Sequence, residues 1–259
     1  MSLLSSIVPD SVRHRLSMIQ YLGSKYHCPF CQRTSGKLKP YGFDFQVLYD
    51  KHVVGGGRRN SGCPHCYSSD RERLIYLYLR HHTSLWDSAS GKTLLHVAPE
   101  KHLSEVLLRL KHVNYVCGDK LEPGYTYPSH VKHMDILAID YPDASFDFVI
   151  CNHVLEHIND DHKAMSELFR VLKPGGQAIL QVPFSLDLGQ TDEDFSVTDP
   201  KAREMRFGQF DHVRLYGADY ISRLTNAGFR VEKVGIARNP EYQKYGLNPD
   251  EDIFVGHKD

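Results

Sequence analysis

The chain reads as an α/β protein: a mostly parallel sheet with helices on both faces, preceded by a small cysteine-paired module. Two observations carry that expectation. From residue 92 onward, short apolar runs alternate with segments of helical periodicity, the signature of parallel strands joined by crossover helices. Ahead of them, four of the six cysteines fall in two C-x-x-C pairs. The 259 residues suffice for one large domain plus such a module, and 41% hydrophobic with 24% charged residues suits a globular chain.

Residues 1–25 are expected to form a helical N-terminal segment, 26–91 the cysteine module with a linking helix, and 92–259 the large domain. The opening stretch MSLLSSIVPDSVRHRL lacks a basic region followed by a continuous apolar one, so no signal peptide is expected. No apolar run approaches about 18 residues, which excludes a spanning helix. Both points lead to an expected cytoplasmic location, where thiols stay reduced and clustered cysteines hold metal more often than they form disulfides. The net charge of −1 divides unevenly, +7 over residues 1–92 and −8 over the remainder. A basic front can steer a partner bearing phosphate or another acid, although plain variation along the chain accounts for it equally well.

Cys28-Pro29-Phe30-Cys31 and Cys63-Pro64-His65-Cys66 are separated by 31 residues. Two tight knuckles are how a chain presents four thiolates to a tetrahedral ion, each sulfur about 2.3 Å from zinc. The spacer reads as a hairpin, with β-prone residues from Tyr41 to Tyr49 and a flexible return at Gly55-Gly56-Gly57. Ser69-Asp70-Arg71-Glu72 is a capping-box pattern ahead of the apolar run Leu74, Ile75, Leu77, Tyr78, Leu79, so the second knuckle leads into a helix. A helix N-terminus would also favour a redox dithiol. The matching second pair, and the lack of a strand before and a long helix after a single motif, favour a structural zinc site on Cys28, Cys31, Cys63 and Cys66, in a treble-clef or ribbon-type module. Arg58 and Arg59, beside the glycines, read as a solvated loop.

In the large domain, Thr93–Val97 reads as a strand, and Leu103, Val106, Leu107 and Leu110 then share a helical face. Val113–Cys117 and Phe146–Cys151 read as strands. A helix is expected over 160–172, stopped by Lys173-Pro174-Gly175-Gly176, before a strand at Ala178–Val182. Cys117 and Cys151 fall inside strands as small buried residues. Ligands of such sheets bind at the carboxyl ends of the strands. Asp119 stands there, where a carboxylate can take both hydroxyls of a ribose. Asp135, followed by apolar Ile136 and Leu137, suits an adenine amino group and ring. Each aspartate alone reads equally well as a turn residue.

The segment MDILAIDYPDASFDFVICNHVLEHINDDHKAMSELFRVLKPGGQAILQVPF resembles the central motifs of class I S-adenosylmethionine-dependent methyltransferases, of the broad type 11 group. DHVRLYGADYISRLTNAGFRVEKV is similar to the last helix and sixth strand of that fold, with Gly228 closing the helix, and EDIFVGHKD to its antiparallel seventh strand. The resemblance spans about residues 92–259 and implies a Rossmann-like, mostly parallel seven-stranded sheet. It implies S-adenosylmethionine as cofactor, held by His96, Ala98, Glu100, Asp119, Asp135, Ile136 and Asn152. The front module is similar to an N-terminal extension found on some bacterial members. One departure stands out. Where the family has an acidic residue and GxGxG after the first strand, this chain has His96-Val97-Ala98-Pro99-Glu100. Side chains there crowd the approach of a cofactor and disfavour positive φ. Retained binding is expected because the other motifs stand and Ala98 is small; lost binding is the alternative.

Methyl transfer from a sulfonium is an in-line displacement, so alignment supplies most of the rate, and an alcohol acceptor also needs a base. His153, His157 and His212 are the candidates, His157 reading more readily as a packing residue. His212 is preferred, with Asp211 or Arg214 gripping the acceptor. Residues 184–216 are long for a connection and mix acids with aromatics, as in a lid. The expected activity is methylation of an O or N nucleophile on a small molecule or sugar conjugate. An RNA acceptor held by the basic module is the first alternative, disfavoured by the near-neutral balance of charge. A binding protein that has lost turnover is the second.

Overall fold

The computed structural model describes residues 16–89 and 91–259; most of the expected N-terminal helical segment, residues 1–15, lies outside the described residues. Seven strands build the main sheet of the large domain: β1 (Thr93–Val97), β2 (Asn114–Asp119), β3 (Lys132–His133), β4 (Phe146–Asn152), β5 (Leu172–Gln181), β6 (Arg230–Val234) and β7 (Ile253–His257). They form one sheet in the order β3-β2-β1-β4-β5-β7-β6. Strands β1 to β5 run parallel, and β7 is antiparallel to both β5 and β6. The chain reverses direction across the sheet between β1 and β4, the position at which such sheets open a crevice for ligands.

Alternation along each strand divides the core into two layers. Leu95, Val97, Val149, Cys151 and Leu180 face one side, against α4 (Asp161–Val171) and α6 (Tyr220–Asn226). Leu94, Phe148, Ile150, Ile179 and Val255 face the other, against α2 (Asp70–His82) and α3 (Lys101–Leu107). The expected strand cysteines, Cys117 and Cys151, are both buried. Helix α2 opens on the capping box: Ser69 Oγ accepts from Glu72 N, and Glu72 Oε2 accepts from Ser69 N. It links the front module to the sheet and packs in the sheet's own core, so the two regions share one apolar layer.

Two local expectations change. The stretch from Tyr41 to Tyr49 is not a strand; Lys39–Tyr41 pairs with Arg59–Gly62, and Gln46–Asp50 forms a short helix, α1. That turn buries Leu48 beneath Gly208, whose left-handed backbone and missing Cβ leave room for it, and burial of Leu48 overrides the strand propensity. Strand β5 likewise begins at Leu172, with no break at Lys173–Gly176. The glycines carry an irregularity instead, and the pairing with β4 jumps from Leu172–Phe146 to Gln177–Phe148.

Residues 184–216 are ordered and stitched to the front module. Phe184–Ser185 pairs with Val53–Val54, Asp192–Glu193 pairs with Arg214–Leu215, and α5 (Pro200–Phe207) lies between. Lys51 Nζ reaches Asp192 Oδ2 at 2.7 Å. Among the described residues no helix is long and apolar enough to cross a membrane.

Candidate active site and cysteine cluster

The two C-x-x-C turns fold alike. Each first cysteine accepts at its carbonyl from the residue after the second cysteine, Gln32 N and Tyr67 N, and those two residues take positive φ. The turns place the four sulfurs within 4.8 Å of one another, with Cys28–Cys66 at 3.6 Å and Cys31–Cys63 at 3.8 Å. Tetrahedral bonds of about 2.3 Å put neighbouring sulfurs about 3.8 Å apart, so the set fits one zinc ion. None of the six cysteines is joined in a disulfide. His65 turns away to the Thr34 carbonyl. His102 at the start of α3 bonds both the Cys66 carbonyl (2.8 Å) and Glu72 Oε1 (3.0 Å), tying the cluster to the large domain.

The loop after β1 keeps a glycine-like path without a glycine: Ala98 has φ +48°. Holding an alanine there costs about 1–2 kcal/mol. The compensation is local. Fully buried His96 meets Glu100 Oε2 at 2.7 Å and the Tyr115 hydroxyl at 3.0 Å, and Asn152 Nδ2 donates to Glu100 Oε1 at 3.0 Å. Burial works to raise the Glu100 carboxyl, but the His96 and Asn152 contacts outweigh it and hold Glu100 below the usual range. Asn152 Oδ1 is buried with no hydrogen-bond partner. Ala98, Glu100 and Asn152 line a cavity of about 380 Å³, closed from the front module by Tyr41, Tyr67 and Arg71. An orphan acceptor and a fixed carboxylate facing one cavity fit the ammonium end of S-adenosylmethionine. Asp119 and Asp135 stand at the carboxyl ends of neighbouring strands, each capping a turn with one oxygen, toward Leu121 N and Leu137 N. They do not line this cavity, and Ile136 lies in the core behind it.

A second cavity of about 400 Å³ adjoins the first; Tyr41, Arg71 and His153 line both. Its floor is His153, Glu156, His157 and His212, and its roof comes from the front module: Phe43, Gly55–Gly57, Arg59 and Arg71. Arg59 pairs with Asp70 at 2.7 Å, so it is a built part of the wall, not the solvated loop expected. Arg71 Nη1 donates to the Gly55 carbonyl. Gly55 packs on His153 at φ +72°, where a Cβ would come within 3.2 Å of the imidazole. His153 itself has φ +53°; its Nδ1 faces Glu156 Oε1 at 3.5 Å, and its Nε2 has no hydrogen-bond partner. Burial, with Arg71 nearby, lowers its pKa against the opposing pull of Glu156 and Glu100.

His212 is buried, its Nδ1 3.3 Å from the Phe207 carbonyl, and burial pushes it down to about 4. Asp211 lies 3.3 Å from His157 Nδ1. Arg214 does not grip an acceptor: 1% exposed, it donates to the carbonyls of Leu155, Ile158 and Asn159 and to Glu193. Its fork is consumed in fastening residues 184–216 to the turn after β4.

The resemblance already noted has a counterpart in comparison with known proteins. Residues 114–180 match the family model described as a methyltransferase domain. This stretch, about a quarter of the chain, is similar to methyltransferase domains. The chain is 31% identical over 102 residues to the Mycolicibacterium smegmatis protein named probable S-adenosylmethionine-dependent methyltransferase, covering 39% of this chain and 35% of that one. It is 26% identical over 133 residues to a demethylmenaquinone methyltransferase of Staphylococcus haemolyticus, covering 51% and 46%. The chain thus spans between about a third and a half of the length of these relatives. Among solved structures, a SAM-dependent methyltransferase from Archaeoglobus fulgidus is similar at TM-score 0.47 and 14% identity, over 72% of this chain and 94% of that one.

Sequence reasoning missed Glu156, Tyr41, Asp70 and Arg71. Glu156 was legible within Leu-Glu-His, as a carboxylate among apolar residues just past a strand end. Nothing in the local sequence of Tyr41, Asp70 or Arg71 marks them for a cavity wall.

Proposed function

We propose that the chain transfers a methyl group from S-adenosylmethionine to an oxygen or nitrogen nucleophile of a small molecule or sugar conjugate, and that its four cysteines hold a structural zinc. The observation that carries the reading is the pair of adjoining cavities at the carboxyl edge of β1 and β4, with His153 between them. When bound, the cofactor supplies an electrophilic methyl group on a sulfonium. Glu100 and Asn152 Oδ1 would hold its ammonium end, while Asp119 and Asp135 with Ile136 are assigned to its ribose and adenine. His153, whose Nδ1 faces Glu156 and whose Nε2 has no partner, would accept the proton of an acceptor hydroxyl. His212, preferred from the sequence, is the weaker base because of its burial; we assign it with Asp211 to shaping the floor.

The modest volume, about 400 Å³, favours a small acceptor over a nucleic acid, and Arg59 and Arg71 are engaged within the protein instead of presented to phosphate. The preserved backbone path at Ala98 argues for retained cofactor binding. Residues 184–216 would act as a lid hinged on their pairing with Val53–Val54.

Calorimetric titration with S-adenosylmethionine and its demethylated product tests the reading. One-to-one binding is expected, weakened about tenfold or more in Glu100→Gln and Asp119→Ala, as loss of a charge-assisted hydrogen bond of about 1.5–3 kcal/mol requires. Absence of binding at millimolar cofactor refutes it.

A further inference from the structure

The floor of the second cavity holds an arrangement that proton transfer alone leaves unexplained. Glu156 is 1% exposed, and both of its carboxylate oxygens lack a hydrogen-bond partner. A buried carboxylate in that condition is costly unless a cation sits beside it. The described residues around it offer imidazoles. His153 Nδ1 lies 3.5 Å and His212 Nε2 4.0 Å from Glu156 Oε1, and the His157 and His212 rings meet edge-on at 4.7 Å between centroids. One ligand atom from each of Glu156, His157 and His212 falls within 4.8 Å of the others.

The outer contacts point the same way. His157 Nδ1 faces the Asp211 carboxylate, and His212 Nδ1 faces the Phe207 carbonyl, both at 3.3 Å. Metal-bound histidines are oriented in this manner: the far nitrogen donates to a carboxylate or carbonyl, which fixes the tautomer and leaves Nε2 for the ion. Asp211 therefore gains a role other than gripping an acceptor.

We propose that Glu156, His157 and His212 form a second metal site, for a divalent transition ion such as zinc, with its remaining positions open to the cavity. Two imidazoles and one carboxylate make a borderline ligand set that suits zinc or cobalt better than magnesium or calcium. Bonds of about 2.0–2.1 Å require the three side chains to draw inward by small rotations. An ion there would balance Glu156 and bind an acceptor through oxygen, making its hydroxyl more acidic, with the proton passing to His153. The acceptor class that fits is an oxygen nucleophile with a second oxygen beside it, such as a vicinal diol or hydroxy acid. This last step rests on the methyl-transfer reading; ion binding does not.

The test is metal content of the full chain after equilibration with zinc and removal of free ion. About two ions per chain are expected, falling to about one in Glu156→Gln and in His212→Asn, with the four-cysteine ion retained as evidence that the variants fold. Cobalt added to chain already holding zinc at the cysteines is expected to give d–d bands without sulfur-to-metal charge transfer, and the double variant to lose them. A single ion per chain at saturation, or cobalt bands unchanged in the double variant, overturns the proposal; in the first case Glu156 is balanced by a proton on an imidazole. Cofactor titration is read separately, so failure of the metal site and failure of the methyl-transfer reading are distinguishable.

Discussion

Asp147, the second residue of β4, accepts from Thr93 N and Thr93 Oγ1 at the start of β1 and from Lys173 Nζ at the start of β5. Partial burial would raise its carboxyl, but Lys173 and Thr93 outweigh that and hold it at about 2, against 3.8 unperturbed. A carboxyl depressed in the folded state contributes its stability fully above the unfolded value and loses it as pH falls from about 4 to 2. Asp147→Asn is therefore expected to cost about 1–2 kcal/mol at neutral pH and almost nothing at pH 2. Denaturant titrations of both forms across that range check this; a cost that does not shrink in acid rules out the ion pair as its source. At the same scale, Ala98 carries a left-handed conformation that glycine adopts freely. Ala98→Gly is expected to be neutral or to stabilise by up to about 1 kcal/mol, and Ala98→Val to destabilise by about 2 kcal/mol, read from melting curves.

At the scale of elements, Arg73 in α2 acts as a latch. It is 1% exposed and donates to the carbonyls of Ser61, Ser68, Tyr245 and Gly246, joining the second knuckle to the segment ahead of β7. No carboxylate is among those partners; the guanidinium is held by peptide carbonyls and the Ser68 hydroxyl. Arg73→Met leaves four carbonyls, two of them in fully buried bonds, to find other donors and is expected to cost about 3 kcal/mol or more, while Arg73→Lys recovers only part of it. Equal stability of the methionine variant and the parent would show that the latch contributes nothing. The elements themselves were largely legible. Strand periodicity, the capping box at Ser69 and the Gly228 stop all reported correctly, because each depends on neighbours in sequence. The exceptions, α1 and the start of β5, are places where a distant partner decides: Leu48 beneath Gly208, and Leu172 beside Phe146.

For the whole molecule, the front module is a wall of both cavities. Loss of the ion proposed at the cysteines should then be felt in the large domain. Cys63→Ser is expected to lower the melting temperature by several degrees and to weaken the cofactor titration, since Tyr41, Tyr67 and Arg71 lose their support. A variant that loses its ion yet binds cofactor like the parent would show the module to be a separate appendage. Gating by residues 184–216 predicts increased hydrogen-exchange protection there when cofactor and an acceptor are added together, and unchanged protection would remove the lid.

The amino-acid sequence alone determined the α/β class, the two cysteine knuckles and the methyltransferase motifs, because periodicity, caps and short spacings are written within a few residues of one another. It placed His153, His157 and His212 near the expected site but carried no sign that Glu156 lies bare among them. Only the tertiary structure decided that Arg214 is a fastener, that Asn152 and His96 hold Glu100 in place of a glycine loop, and that the front module roofs a second cavity. Those outcomes depend on side chains tens of residues apart sharing one buried space, where desolvation makes each unpaired charge or acceptor costly and so selects its partner.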